Sequence, residues 1–184
     1  MVSALRLRNY YIYDDLETFP DDGKRREIIA GDLYVNPSPL PRHQRVSREF
    51  LVELALFLRH AGLGEVLDAP IDVRLGDDVF GPDIVVVLKA GQAVIRDKWI
   101  EGPPDIVIEI LSPSTEKVDR TTKANAYARH GVPEYWLVDA EGRRLERYEL
   151  RDRAFERVAI HADADVVTTP RLPGFRLELG RVWA

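Results

Sequence analysis

The chain has 184 residues, with 26 basic and 31 acidic side chains and a formal net charge of −5. This length suits one domain that can bury a core without disulfides or metal staples, and 45% apolar and 31% charged residues are typical of a globular protein. The lack of cysteine excludes disulfides, zinc–thiolate sites, iron–sulfur clusters and cysteine nucleophiles. The acidic balance excludes a protein that coats nucleic acid through bulk charge, so any such contact needs a local patch.

The sequence also bears on location and domain organisation. No apolar run approaches the roughly 20 residues of a membrane-spanning helix, and the first residues lack the apolar centre of a signal peptide. We therefore expect a cytoplasmic protein with no membrane partner. Residues 1–23 are predicted to be an N-terminal appendage, and residues 24–184 a single domain.

The first half of the predicted domain begins with a hairpin and a long helix. Two β-rich stretches, 26–30 and 33–35, flank Gly31-Asp32 and predict a hairpin. After a proline-rich loop, apolar residues at helical spacing from Val46 to Leu58 predict an amphipathic helix over 42–60. Gly62 and Gly64 follow it and favour its termination.

Two short, almost wholly apolar runs, 83–88 and 105–111, predict strands buried on both faces. Asp119 is predicted to cap the N-terminus of a helix that ends at Gly131. Further strands are expected at 65–68, 71–75 and 135–139, and a final hairpin at 145–150 and 155–160. This order predicts an α/β fold with a central mixed sheet flanked by helices.

Glu109 lies in the middle of the second apolar run, where an uncompensated carboxylate is costly. One interpretation is structural: Glu109 belongs to an ion pair, or the strand ends near solvent. The other is that Glu109 is a metal ligand, which requires a second carboxylate nearby. Asp105 lies about 13 Å away along the strand, too far to share a Mg²⁺ ion, and is expected to be a turn residue. Asp83 begins the other run and can meet Glu109 if the two strands are neighbours.

Pro82-Asp83 and, further along, Glu109 resemble the signature of the PD-(D/E)XK nuclease superfamily. The stretch from Pro104 to Asp139 is similar, more closely, to the Uma-two family of restriction-endonuclease-like proteins. The matching positions are Pro104-Asp105, Glu109, Ser112-Pro113-Ser114, Asp119, Lys123, Tyr127, Gly131 to Trp136 and Asp139, with Glu27, Gly31-Asp32-Leu33 and His43 upstream. The resemblance covers about residues 24–180. It implies a restriction-endonuclease-like core, dependence on a divalent metal and hydrolysis of phosphodiester bonds.

One position departs from the superfamily signature, because Leu111 stands where a lysine is expected two residues after the glutamate. The resemblance implies that Lys123 supplies this charge from the next helix; a solvated helix lysine is the alternative, and Lys117 is a weaker candidate. Asp83, Glu109 and the carbonyl of Ile110 would hold Mg²⁺ or Mn²⁺.

The resemblance brings further residues to the candidate site. Glu27 is a further ligand or a water-holding base, or alternatively part of a salt bridge at the hairpin edge. Tyr127 lies one turn after Lys123 and either supports the site or packs in the core. His43 and Arg120 are candidates for phosphate contact, with a structural role as the alternative for His43.

Two other features of the sequence concern a serine nucleophile and a charged hairpin. No nucleophile elbow surrounds Ser112 or Ser114, so a serine hydrolase is not expected. Arginines alternate with acids over residues 143–157, which predicts a solvated hairpin face.

Together these features predict a metal-dependent endonuclease that hydrolyses phosphodiester bonds of DNA and forms, as one option, a homodimer. A catalytically inactive nuclease-fold protein that binds nucleic acid or a protein partner is the alternative, since Leu111 replaces the usual lysine. Hydrolysis of a small phosphodiester or a nucleotide is a third possibility.

Overall fold

The computed structural model describes residues 4–5 and 10–183. Its helices are α1 (Tyr13–Leu16), α2 (Pro41–Ala61), α3 (Glu116–Val118), α4 (Ala124–Arg129) and α5 (Leu179–Val182), with a π-helical turn at Asp119–Lys123. Its strands are β1 (Ala4–Leu5), β2 (Arg25–Ile29), β3 (Asp32–Asn36), β4 (Gly64–Asp68), β5 (Asp72–Leu75), β6 (Asp78–Phe80), β7 (Ile84–Leu88), β8 (Val94–Ile95), β9 (Trp99–Glu101), β10 (Ile106–Ile110), β11 (Glu134–Asp139), β12 (Arg144–Arg151), β13 (Ala154–Ala162), β14 (Val166–Val167) and β15 (Leu177–Glu178). None of the helices in these ranges is long and apolar enough to cross a membrane.

The strands of the described ranges form two main sheets and one short pair. The central sheet has the order β13-β12-β11-β10-β7-β4, and the second sheet has the order β1-β3-β2-β6-β5-β9-β8. The central sheet is mixed, because β10 pairs in parallel with β11 and antiparallel with β7. The predicted α/β fold with a mixed sheet is therefore confirmed, and a second sheet accompanies it.

Strand β10 shows how the central sheet is buried on both faces. Its three isoleucines pack in one core cluster with α2 and the C-terminal segment. Val107 faces the opposite way, into a cluster that contains residues of the second sheet and of helix α4. This alternation follows from the period of two along a strand, and it explains why almost every residue of the run is apolar.

Helix α2 covers one face of the central sheet. It buries Val46, Phe50, Leu54 and Leu58 at helical spacing, each burial contributing about 1.5–3 kcal/mol. Gly62 ends the helix in the left-handed conformation, with φ 66°, which glycine adopts at little cost. The predicted helix over 42–60 is confirmed.

The hairpin of β2 and β3 is also as predicted, and its turn sets which side chains face inward. Ala30 and Gly31 both have positive φ, the geometry of a two-residue hairpin turn. Ile28 then joins a small core cluster that includes Tyr11, while Ile29 joins the cluster between the sheets. Tyr11 thus packs against the second sheet, and residues 1–3 and 6–9 of the predicted appendage lie outside the described residues. The boundary at residue 23 stays a prediction.

One local prediction is wrong and another holds only in part. Asp119 does not cap a helix, because the helical segment begins one turn earlier at Glu116, where the Ser112 carbonyl accepts from the Thr115 and Glu116 N–H groups. The hairpin β12–β13 is not wholly solvated, because Glu146 is only 3% exposed and its carboxylate accepts from Arg120, Arg157 and Tyr148.

Candidate active site

A cavity of about 330 Å³ lies between the loop after β3, the start of β7, the end of β10 and the helical segment 116–129. Its titratable lining residues are Arg25, His43, Asp83, Glu109, Asp119 and Lys123. Most of these side chains are buried, which is unusual for charged groups and requires that they be paired. The cavity is therefore the candidate active site of the protein.

Asp83 and Glu109 come from neighbouring antiparallel strands. Ile84 of β7 lies opposite Ile108 of β10, so the register places Asp83 across from Glu109. The Ile110 N–H also donates to Asp83 Oδ2 at 2.9 Å. The condition for Asp83 to meet Glu109, that the two apolar runs form neighbouring strands, is therefore met.

The carboxylate of Asp83 is held by two basic side chains. His43 Nε2 lies 3.0 Å from Asp83 Oδ2, and an Arg25 guanidinium nitrogen lies 3.4 Å from Oδ1. Burial acts to raise the pKa of Asp83, but the hydrogen bond and charge of His43 and the charge of Arg25 outweigh it. The pKa of this carboxyl is therefore lowered, so Asp83 is ionised at neutral pH.

Glu109 has the opposite balance. Lys123 Nζ and the Tyr127 hydroxyl both donate to its Oε1 atom, each at 3.0 Å. Burial nevertheless holds the pKa of Glu109 well above its ordinary value, because Lys123 only partly offsets it and three neighbouring carboxylates raise it further. Glu109 is thus a carboxylate with an unmet demand for positive charge.

Lys123 is the buried cation of the site. Its ammonium lies 2.9 Å from Glu27 Oε1, 3.0 Å from Glu109 Oε1 and 3.4 Å from Asp119 Oδ1, and the side chain is 4% exposed. Burial acts to lower its pKa, but these three carboxylates raise it well above the ordinary value. Lys123 therefore stays charged.

Glu27 lies behind the cavity and has no exposed surface. Its Oε1 accepts from the Gly81 N–H at 2.7 Å, and its Oε2 accepts from Asn36 Nδ2 at 2.7 Å. Because Oε1 also contacts Lys123, Glu27 connects the second sheet to the ammonium. The alternative of an exposed salt bridge at the hairpin edge does not describe this residue.

Asp119 enters the site through the π-helical turn. A π-helical turn is a rare geometry that recurs at functional positions, and here it accompanies the burial of both Asp119 and Lys123. The Tyr135 hydroxyl donates to the Asp119 carbonyl at 3.0 Å and fixes the turn. Burial raises the pKa of Asp119 to about 6, against the lowering charge of Lys123.

The structure brings together most of the residues that the sequence singles out. Asp83, Glu109, Ile110, Lys123 and His43 line the cavity, and Glu27 and Tyr127 contact these residues from behind. Tyr127 also packs in the core, with its ring centroid 4.4 Å from that of Phe80. It therefore both supports Glu109 and packs in the core.

Arg120 is not brought to the cavity. Its guanidinium donates to Glu116 at 2.8 Å and to Glu146 at 3.0 Å, and it does not line the cavity. Asp105 directly precedes β10, and its carboxylate accepts from the Leu88 N–H at the end of β7 at 2.8 Å, a contact between strands and not within a turn. Leu111 packs against the core cluster between the sheets, as its apolar side chain requires.

Sequence reasoning missed Arg25 and Asn36 as contributors and gave Asp119 the role of a helix cap. Asp119 precedes Lys123 by four residues, a spacing that places two side chains on one helical face and could have identified the pair. Arg25 and Asn36 carry no such signal, because their contacts depend on how the second sheet meets the central one.

The donor set fits a divalent ion bound by few protein ligands. In residues 10–183, no three histidine or carboxylate side chains form a ready metal cage. Mg²⁺, however, keeps several waters and needs only one or two carboxylates. Both donors to Glu109 reach Oε1 and, in the described part of the chain, none reaches Oε2, while Asp83 Oδ1 has only the 3.4 Å contact with Arg25. Each carboxylate thus keeps oxygen capacity for a hard cation.

Comparison with known proteins agrees with this geometry. The chain matches the model of the Uma2 family, described as “Putative restriction endonuclease”, over residues 13–180. It is also similar to the crystal structure of a putative nuclease belonging to DUF820 from Anabaena variabilis ATCC 29413, with a TM-score of 0.76 and 21% identity over 94% of this chain and 97% of that chain. This structural similarity shows the fold of the chain. A comparison with curated proteins found no match. The chain belongs to the Uma2 family of restriction-endonuclease-like proteins.

Proposed function

We propose that this protein is a divalent-metal-dependent endonuclease that hydrolyses phosphodiester bonds of DNA. The observation that carries the proposal is the pairing of buried Asp83 and Glu109 across adjacent strands, on a cavity that also contains the buried ammonium of Lys123. Perturbed titratable groups that converge in a cavity are typical of functional sites. Family membership supports a nuclease over other hydrolases.

Asp83 and Glu109 would hold Mg²⁺ or Mn²⁺, together with the main-chain carbonyl of Ile110 and waters. When bound, such an ion supplies a Lewis acid that stabilises negative charge on the scissile phosphate and lowers the pKa of water. The chain holds the two carboxylates ready for it, because His43 and Arg25 orient Asp83, and Tyr127 orients Glu109.

Lys123 takes the part of the lysine that Leu111 replaces. Its ammonium is adjacent to Glu109 and lines the cavity, so it is suited to orient the attacking water and to offset charge on the phosphate. Hydrolysis then joins the water oxygen to phosphorus and breaks one P–O ester bond, leaving a phosphomonoester and a hydroxyl. Glu27 keeps Lys123 in place through the 2.9 Å contact.

The cavity rim offers contacts for a phosphate chain despite the acidic net charge. Helix α2 begins directly after the rim residue Leu40, and the side chains of Arg42 and Arg45 on its first turns are exposed. Exposed arginines beside a cleavage site bind backbone phosphates without reading sequence. Substrate binding should therefore weaken as salt rises.

The test is nicking of supercoiled plasmid DNA with Mg²⁺ or Mn²⁺, against EDTA. We expect ion-dependent nicking that falls at least about 100-fold in Asp83→Asn, Glu109→Gln and Lys123→Met, since each change removes a charge that acts in the transition state. Glu65→Gln is the control, because Glu65 is exposed on β4 of the same sheet and its loss should leave nicking intact.

Other outcomes identify the alternatives. Nicking by all variants at the parent rate would mean that the activity belongs to a contaminant or to another site. DNA binding without nicking by the parent chain would identify a catalytically inactive nuclease-fold protein. Parallel reactions with RNA and with a small phosphodiester assign the substrate class.

A further inference from the structure

The ammonium of Lys123 is surrounded by carboxylates in the resting site. The carboxylates of Glu27, Glu109 and Asp119 lie within 2.9, 3.0 and 3.4 Å of Nζ. One N–H bond donates to Glu109, and the contacts with Glu27 and Asp119 are ion pairs. A lysine arranged in this way neutralises its acidic neighbours, and the N–H bond given to Glu109 is not available to a water molecule.

The charges around Lys123 are unbalanced. The carboxylates of Glu27, Asp83, Glu109 and Asp119 are all at least nine-tenths buried, whereas the basic side chains that contact them are Lys123, the partly exposed Arg25 and His43. Arg25 and His43 contact only Asp83 among these acids, so Lys123 is the counter-ion shared by the other three. Buried carboxylates without a counter-ion are strongly destabilising, which makes Lys123 the group that allows the acids to be buried together.

The two carboxylates assigned to the metal differ in one respect. Asp83 is held by His43, by the Ile110 N–H and, at 3.4 Å, by the partly exposed Arg25, so no buried ammonium contacts it. Glu109, by contrast, is in contact with the buried ammonium of Lys123 at 3.0 Å. A divalent ion that binds Glu109 must therefore share this carboxylate with the ammonium or take its place.

We propose that Lys123 is a resident cation that stabilises the metal-free site and competes with the divalent ion for Glu109. This inference rests on the proposed metal-dependent function. When an ion occupies Glu109, Lys123 gives up that hydrogen bond and keeps its ion pairs with Glu27 and Asp119. The N–H bond released in this exchange is then available to orient the attacking water when the metal is present.

The test is the dissociation constant of Mn²⁺ for the full chain, measured by titration calorimetry at neutral pH. We expect Lys123→Met to bind Mn²⁺ at least about tenfold more tightly than the parent, because the competing cation is gone. Lys117→Met is the matched control, since Lys117 is an exposed cation of the same helical segment, and it should change the affinity less than twofold.

A double variant separates competition from simple charge. Glu27→Gln/Lys123→Met removes one buried acid together with the ammonium, so the net charge of the site stays the same. It also removes one of the buried acids that Lys123→Met leaves without a counter-ion, so it is the variant to measure if Lys123→Met alone does not fold. Tighter Mn²⁺ binding by the double variant than by the parent supports competition.

The unfavourable outcomes are distinguishable. Parent and double variant binding Mn²⁺ equally would overturn the competition while leaving the metal-dependent function in place. Absence of Mn²⁺ binding in every variant would overturn the proposed function itself. Binding by the Lys123 variants but not by the parent would support competition most strongly. As a second readout, the thermal midpoint of Lys123→Met in EDTA should lie below that of the parent and should rise more on addition of Mn²⁺.

Discussion

Two groups of buried acids lie in this protein, and they are balanced differently. The cavity cluster consists of Glu27, Asp83, Glu109 and Asp119. For comparison, the name hairpin cluster is given to Glu134 on β11 and Glu146 on β12, two acids of adjacent strands whose side chains lie on opposite faces of the central sheet. All of these side chains are at least nine-tenths buried. The clusters therefore differ in the partners available to each carboxylate, not in burial.

In the hairpin cluster every carboxylate is matched by donors. Glu134 accepts from the indole of Trp136 at 2.6 Å and from Arg147 at 3.1 Å on one oxygen, and from the Thr169 hydroxyl at 2.6 Å on the other. Glu146 is shared by Arg120 and Arg157 and accepts from Tyr148. Arginine is suited to this role, because its donors form a fixed fork around a carboxylate.

The pKa directions express the difference. Burial acts to raise the pKa of Glu146, but the Tyr148 and Arg120 hydrogen bonds outweigh it and lower that pKa. In the cavity cluster, burial and the neighbouring carboxylates outweigh the charge of Lys123, so the pKa of Glu109 is raised well above its ordinary value. A balanced cluster stabilises the fold, whereas a cluster with excess negative charge is stabilised further by an added cation.

The largest expected effect compares Glu134→Gln with Glu109→Gln in metal-free buffer. Glutamine has one acceptor oxygen and no charge, so Glu134→Gln leaves the donors around one oxygen unmatched and leaves Arg147 with Glu149 as its remaining acidic partner, at a cost of about 3–5 kcal/mol. Glu109→Gln removes a charge that burial disfavours, and we expect its cost to be below about 1 kcal/mol. Urea unfolding measures both values. Equal losses would contradict the distinction between the clusters.

A smaller effect concerns pH. The raised pKa of Asp119, about 6, means that the folded chain keeps this proton to higher pH than the unfolded chain does. Its contribution to stability is therefore full below about pH 4 and is lost as pH rises through about 6. The variant Asp119→Asn does not titrate, so the free energy of unfolding of Asp119→Asn minus that of the parent should increase by about 2–3 kcal/mol from pH 4 to pH 7 in EDTA. A difference that stays constant or falls with pH would be inconsistent with excess charge at this position.

The sequence predicted those parts of the fold that local periodicity determines. The apolar positions of α2 repeat at helical spacing, and the apolar runs of β7 and β10 are long enough to be identified as buried strands. The second sheet was not predicted as a unit, because its central strands β5, β6 and β9 have only three or four residues each. The pairing of β5 with β9 joins segments that are distant in sequence, and strands this short show too little apolar periodicity to be recognised as one sheet.

The candidate site shows the same division. Asp83 and Glu109 could be found because a carboxylate in an apolar run is physically anomalous, and Lys123 could be found through the family resemblance. Asp119 was misassigned because aspartate is also a preferred helix cap, and the π-helical turn that redirects it depends on Tyr135, which is distant in sequence. The place of Arg120 outside the cavity could not be predicted, because its partner Glu146 lies 26 residues away on another strand.

The most direct test of the excess charge in the cavity cluster is a crystal structure of the parent chain soaked with Mn²⁺, with the ion located by its anomalous scattering. The account predicts one ion bonded to the carboxylates of Asp83 and Glu109, with Lys123 still in contact with Glu27. It predicts no ion at Glu134 or Glu146, whose oxygens are already matched. A cavity without Mn²⁺ at millimolar concentration, with the Lys123–Glu109 contact unchanged, would contradict the account.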